Sequence, residues 1–271
     1  MNADISKPSV AIDVGNSQIM AGLFLQNAAT ADLLPQPNRT LSLTTQQWNP
    51  VELALWLAPY RPADVAWFIG SVHDKASLAL RTWLDEEEGN PVTRLLTFQD
   101  LPLTIEIPDP AAVGVDRLLG AVAANRIRPK ERPAIVIDLG SAITVDVISA
   151  KGSFCGGAIL PGIQMSGRAL HAFTERLPEI SLTPGPPPSP VGESTEEAIS
   201  SGIYWGTIGA LRALLAELHA EMSSDPMIIV TGGNAALVVE ALEVEVRCEP
   251  HLILAGIAIA VETIRKAASG G

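Results

Sequence analysis

Twice along this chain an apolar run, an Asp-x-Gly step with small polar residues, and a second apolar run follow one another. The first copy is AIDVGNSQIMAGLF at 11–24 and the second is AIVIDLGSAITVDVISA at 134–150. Short apolar runs bounded by turn residues predict strands over 9–14 and 18–25 around a turn at Gly15-Asn16, and a matching pair in the second copy. Between them, Trp48, Leu53 and Trp56 recur at helical spacing within about 45–58. VAWFIGSV at 65–72 reads as a strand, and KASLALRTWLDEEEG at 75–89 as a helix whose Glu86-Glu87-Glu88 run is a solvated end. GVDRLLGAVAANRIR at 114–128 puts Leu118, Leu119, Val122, Ala123 and Ile127 on one broad stripe, with an aspartate in its first turn.

The second half continues with GGAILPGIQMSGRALHAFTERL at 156–177, read as a Gly-Gly turn, a short strand or loop, Pro161-Gly162 and a helix. TPGPPPSP at 183–190 reads as an exposed, partly polyproline loop, and Ser194-Thr195-Glu196-Glu197 as a capping box opening a long helix. A strand, a Gly-Gly turn and a helix over 227–242 precede a terminal helix at 251–267. The apolar stretches 200–216 and 251–262 fit either core or a subunit interface. Ile12 to Ser17 match Ile137 to Ala142 at a constant offset of 125 residues, which reads as two copies of a whole α/β lobe. The Arg-Pro-Lys-Glu-Arg-Pro stretch at 128–133 is the expected boundary, giving lobes of 1–128 and 129–271.

Composition narrows the class. At 47% hydrophobic and only 4% aromatic, the core must be built from Ala, Val, Ile and Leu, as in layered α/β proteins. A net charge of −12, with 18 scattered basic residues, argues against a nucleic-acid partner. No apolar run approaches the roughly 20 residues of a membrane span, and the start MNADISKPSV has no leader pattern, so a cytoplasmic protein is expected. Cys155 and Cys248 lack metal spacing and, beside apolar segments, are expected to be buried thiols. His73, His171, His219 and His251 show no metal or triad spacing.

The chemistry concentrates in the two Asp-x-Gly turns. Glycine leaves backbone N–H groups open to an oligophosphate, and the aspartate can hold a cation; the plainer reading makes these residues local turn formers. The glycine-rich turn at Thr231-Gly232-Gly233 adds weight to phosphate binding. Walker, dinucleotide-binding and protein-kinase motifs are absent. Asp116 either serves a helix dipole or acts as a base beside Arg117, which would hold an acceptor's anionic group. Thr195 either follows the helix cap or offers a hydroxyl to a ligand.

Taken in order, DVGNS (13–17), GVDR (114–117), DLGSAITVD (138–146), GGAILPG (156–162), ST (194–195) and TGG (231–233) resemble the type III pantothenate kinases of the acetate kinase, Hsp70 and actin superfamily. The resemblance implies two ribonuclease-H-like (actin-like ATPase) lobes with an active-site cleft between them, and a homodimer. It also implies phosphorylation of pantothenate by ATP, with Mg²⁺ and a monovalent cation (K⁺ or NH₄⁺). Carried residue by residue, it makes Asp13, Val14, Gly15, Asn16, Ser17, Gln18, Ile19 and Met20 the first ATP loop, with Asp13 near Mg²⁺ through water. Ser141 would touch ATP and Asp138 would ligate the monovalent cation. Asp116 would be the general base, and Gly114, Val115, Asp116, Arg117 and Thr195 would contact pantothenate. Two positions depart from the family: Met20 stands where a basic residue is usual, and Ile107 where a pocket tyrosine is common. Alternative readings are a non-catalytic nucleotide-binding accessory protein of the same fold, or a kinase for another small-molecule hydroxyl.

Overall fold

The computed structural model describes residues 7–25 and 33–269 and divides into two compact units. The first comprises residues 1–127, 152–154 and 251–271. Its sheet has the order β3-β2-β1-β4-β5, built from β1 (Ser9–Val14), β2 (Gln18–Phe24), β3 (Arg39–Thr44), β4 (Ala66–Ser71) and β5 (Val92–Leu95). β1, β2 and β3 form an antiparallel meander, whereas β4 and β5 run parallel to β1. Helices α1 (Pro50–Leu57) and α2 (Asp74–Glu86) cover one face, packing Leu53, Leu57, Leu80 and Leu84 onto Ile12, Trp67 and Ile69. Trp48 precedes α1 instead of lying on it, because the Asn49 side chain caps Val51 N–H and Pro50 opens the helix. Helix α3 (Val115–Ile127) follows the loop after β5.

The second unit, residues 128–151 and 155–250, repeats the plan. Its sheet has the order β10-β9-β6-β7-β8, from β6 (Ala134–Leu139), β7 (Ala142–Ile148), β8 (Phe154–Pro161), β9 (Met227–Thr231) and β10 (Arg247–Cys248). Read from the other edge, this matches the first sheet strand for strand, as the offset of the two Asp-x-Gly stretches predicts. Helices α4 (Ile163–Ala172), α5 (Thr195–Glu221) and the single turn α6 (Ala235–Val238) accompany it. Ile199, Ile203, Ile208, Leu211 and Leu215 of α5 pack on Ile135, Ile137, Val145 and Val230 of the sheet.

Helix α7 (Leu252–Ser269) returns to the first unit, packing on α3, β1, β2 and β4. A single cut after residue 128 therefore does not describe the division. Residues 252–261 are all buried, the expected fate of a helix that is apolar all round. Gly256 permits the approach to α3, since a methyl there would collide with the Leu119 backbone, and Arg126 pairs with Glu262 at 2.8 Å between the helices.

Two expectations fail. Gly156-Gly157 is strand, not turn: Gly157 lets β8 pass against the Val145–Asp146 backbone of β7, where any Cβ would collide. Cys155 and Cys248 are exposed. Both lie on edge strands of the second sheet.

Candidate active site

In each unit the Asp-x-Gly stretch lies at the carboxyl ends of the parallel strands, where open α/β sheets place ligands. In the first unit, Asp13, the last residue but one of β1, lies beside Gly70 of β4 and directly across the hairpin from Met20. Val14 to Met20 form the turn and its return, closed by a Gly15 N–H donation to Gln18 O at 2.9 Å. Asn16 and Gln18 are exposed; Asp13, Gly15, Ser17 and Met20 are half-buried, and Val14 and Ile19 anchor the turn in the core. The turn is braced by a residue with no sequence signal. Buried Thr45 donates its hydroxyl to Gly15 O at 2.8 Å, and its N–H bonds Ser17 O at 3.0 Å.

The start of α3 joins the same edge. Val72 N–H bonds Val14 O at 3.1 Å, and the Val72 side chain would lie 3.3 Å from a Cβ on Gly114. A Cβ there would also stand 2.5 Å from Asp116 Oδ1, so Gly114 provides the space that this carboxylate occupies. Asp116 Oδ1 accepts the Arg117 N–H at 2.8 Å. Burial pushes the Asp116 carboxyl above the ordinary aspartate range, opposed by the Arg117 N–H and guanidinium charge. Val115 is buried and anchors the turn; Ile107 is half-buried.

In the second unit, Asp138 occupies on β6 the place of Asp13 on β1, with Thr231 of β9 on one side and Thr144 of β7 on the other. Gly232, at φ +94°, makes its cradle: a Cβ would stand 2.5 Å from Asp138 Oδ1 and 2.6 Å from the Leu139 backbone. Asn234, which sequence reasoning passed over although it follows the Gly-Gly turn, donates its N–H (3.0 Å) and its amide (3.2 Å) to Leu139 O. Gly162 caps α4 against Ser141, whose carbonyl fills the space a side chain would need. The positive end of α4 thus adjoins the Gly140-Ser141 turn. Thr195 lies exposed in the first turn of α5, after the Ser194 cap that accepts Glu197 N–H at 3.2 Å. The expected capping box is shifted by one, because Glu197 bonds the N–H of Glu193.

Neither Gly15 nor Gly140 adopts a positive φ. A Cβ on Gly15 would meet Gln18 O at 3.1 Å, and one on Gly140 would find only ordinary contacts at 3.5 Å. The backbone therefore does not demand glycine at Gly140, where an unobstructed approach is what remains for glycine to supply, whereas at Gly15 the carbonyl that closes the turn itself crowds a Cβ. Among the described residues no cluster of three or more His, Cys, Asp or Glu could hold a metal. Single carboxylates at Asp13 and Asp138 fit a cation that completes its shell with phosphate and water, as Mg²⁺ does with nucleotides. A cavity of about 720 Å³ opens at the opposite edge of the second sheet, lined by Ile135, Met227, Arg132, Arg212 and Arg247 among others, and holds none of these residues. No helix of the described residues is long and apolar enough to cross a membrane.

Two five-stranded sheets of this order, each with an Asp-x-Gly turn at its carboxyl edge, define the actin-like ATPase and sugar kinase fold class. Solved structures agree. A Baf-family protein from Campylobacter jejuni superposes with a TM-score of 0.59 at 18% identity, covering 95% of this chain and 99% of that one. The activator of 2-hydroxyisocaproyl-CoA dehydratase from Clostridium difficile, with bound ADPNP, gives 0.53 at 9% identity, covering 97% and 98%. The family model for type III pantothenate kinase matches residues 9–217, and the chain belongs to that family. Over 267 residues it is 31% identical to the type III pantothenate kinase of Frankia casuarinae, covering 93% of this chain and 98% of the relative. With that of Paramagnetospirillum magneticum it shares 42% identity over 158 residues, spanning 58% of this chain and 59% of the relative's length.

Proposed function

We propose that this protein transfers the γ-phosphoryl group of ATP to the primary hydroxyl of pantothenate, the first step towards coenzyme A, in the cytoplasm. The observation that carries the reading is that Gly140, the glycine of the second Asp-x-Gly turn, is not required by its own backbone. Glycine there serves close approach of a ligand. Family membership supplies the acceptor.

In this reading Asp116 takes the proton from the attacking hydroxyl. Its burial keeps it more basic than a solvated aspartate, which favours the transfer. Arg117 holds the pantothenate carboxylate, and Gly114, Val115 and Thr195 complete the acceptor site. Asp13, with the turn through Met20 and with Ser141, orients the phosphates. Bound Mg²⁺ neutralises phosphate charge, and Asp13 would hold it through water. Asp138, in the cradle left by Gly232, would hold K⁺ or NH₄⁺. Catalysis is then positioning plus charge stabilisation.

The working form is a homodimer. Phe173 at 88% and Ile159 at 63% exposure, with Met165 and Leu170, are apolar groups of the second unit that a partner subunit would cover. Light scattering tests this, with a monomer at micromolar concentration contradicting it. The activity is tested by incubating purified protein with pantothenate and Mg·ATP, with and without K⁺, reading ADP and weighing the product. Cation-dependent 4′-phosphopantothenate supports the reading; bound ATP without product from pantothenate refutes it.

A further inference from the structure

The residues that contact the reactants do not account for how Arg117 is held. Its guanidinium carbon lies 5.6 Å from the centroid of the Phe154 ring, and Phe154 is fully buried. The segment carrying this ring is tied on several sides. Phe154 N–H donates to Thr104 O at 2.9 Å, and Glu106 N–H donates to Phe154 O at 2.8 Å, so residues 104–106 form a short parallel bridge with it. Two residues earlier, Gly152 O accepts the Asn125 amide at 2.7 Å. Asn125 and Arg117 both belong to α3, so residues 152–154 are fastened to that helix at Asn125 and meet it again at Arg117.

We infer that Phe154 is a positioning residue that fixes the Arg117 guanidinium for a planar carboxylate, and so makes the acceptor site selective for an anionic acceptor over a neutral one. This rests on the assignment of Arg117 to the pantothenate carboxylate. A free arginine samples many rotamers. One held against the face of a buried ring samples fewer, so less freedom is lost when its N–H groups meet a carboxylate. The backbone of the same residue is bonded to the segment that leads into Ile107, so the guanidinium and that segment share one support.

The test compares pantothenate with pantothenol, its neutral alcohol analogue, as competing ligands for wild type, Phe154→Leu, Phe154→Tyr and Arg117→Ala. Leucine preserves apolar volume and backbone bonds but removes the ring face; tyrosine retains the face. Phe154→Leu is expected to raise the KM for pantothenate about fivefold, the size of one cation–π contact, while kcat, the KM for ATP and the Ki for pantothenol change far less. Phe154→Tyr restores the wild-type KM. The inference falls if Arg117→Ala weakens pantothenate selectively and Phe154→Leu does not, or if Phe154→Leu weakens both ligands equally, as a merely structural role would. If Arg117→Ala leaves the preference for pantothenate intact, the assignment of Arg117 fails and the inference with it. Far-UV circular dichroism and thermal midpoints confirm that each variant is folded.

Discussion

The two Asp-x-Gly hairpins carry one motif and are built differently. Val14 pairs with Ile19 around four turn residues, whereas Leu139 pairs with Ile143 around three. The first turn is braced from its own sheet by Thr45, and its aspartate faces the thioether of Met20. The second is held by neighbouring glycine-rich segments, Gly162 beneath Ser141 and Gly232 beside Asp138, and by Asn234. Its aspartate faces Thr144, whose hydroxyl donates to buried Asp146 at 3.1 Å. The two turns share the glycine and the carboxylate; the supports around them differ.

That contrast can be broken by mutation, and the largest effect lies outside both turns. Only the first unit carries Asp116, so Asp116→Asn is expected to lower kcat by about 10²–10⁴-fold while ATP binding at both turns persists. The pH dependence follows. The base must be ionised, so activity falls as pH drops through a value above the ordinary aspartate range, and a kcat/KM profile locates that limb. Stability moves the other way. A carboxyl whose folded pKa is raised makes the native state bind protons more tightly, so its contribution declines as pH rises from the ordinary aspartate value through the folded one. Asp116→Asn should therefore be at least as stable as wild type at neutral pH, which urea denaturation will read.

Next in size is a change to the second turn's support. Gly162→Ala forces a methyl into the Ser141 carbonyl and is expected to cost about 1–3 kcal/mol by urea denaturation. Thr45→Val, which removes the brace of the first turn, is expected to cost about 1 kcal/mol and to raise the KM for ATP without altering cation dependence. The smallest effect is a gain: Met20→Lys puts an ammonium beside Asp13 and the phosphate turn, lowering the KM for ATP by a few-fold at low salt.

How much of this the sequence could tell depends on the range of the contact. The hairpins, the strand order implied by their repetition, and the grouping of Gly114 with Asp116 follow from local pattern. Gly114 is legible because its neighbour in space is also its neighbour in sequence. Thr45 is not: it lies thirty residues from the carbonyl it holds, in a polar TTQQ stretch at the start of the segment that the sequence reads as a helix. The return of α7 to the first unit is equally hidden, since apolar periodicity says that a helix is buried without saying in which core. Gly157 misleads for a related reason, because glycine that allows close strand packing looks in sequence like glycine that makes a turn.

The most direct test of the account is calorimetric binding of a non-hydrolysable ATP analogue with Mg²⁺ to wild type, Gly15→Ala and Gly140→Ala, each paired with its urea midpoint. The account predicts that each methyl reduces affinity about tenfold or more, equivalent to roughly 1.4 kcal/mol, with little loss of stability at Gly140 and a loss at Gly15 that the urea midpoint separates from the affinity change. Unchanged affinity, or losses that merely track destabilisation, would contradict the claim that these two glycines are present for the nucleotide.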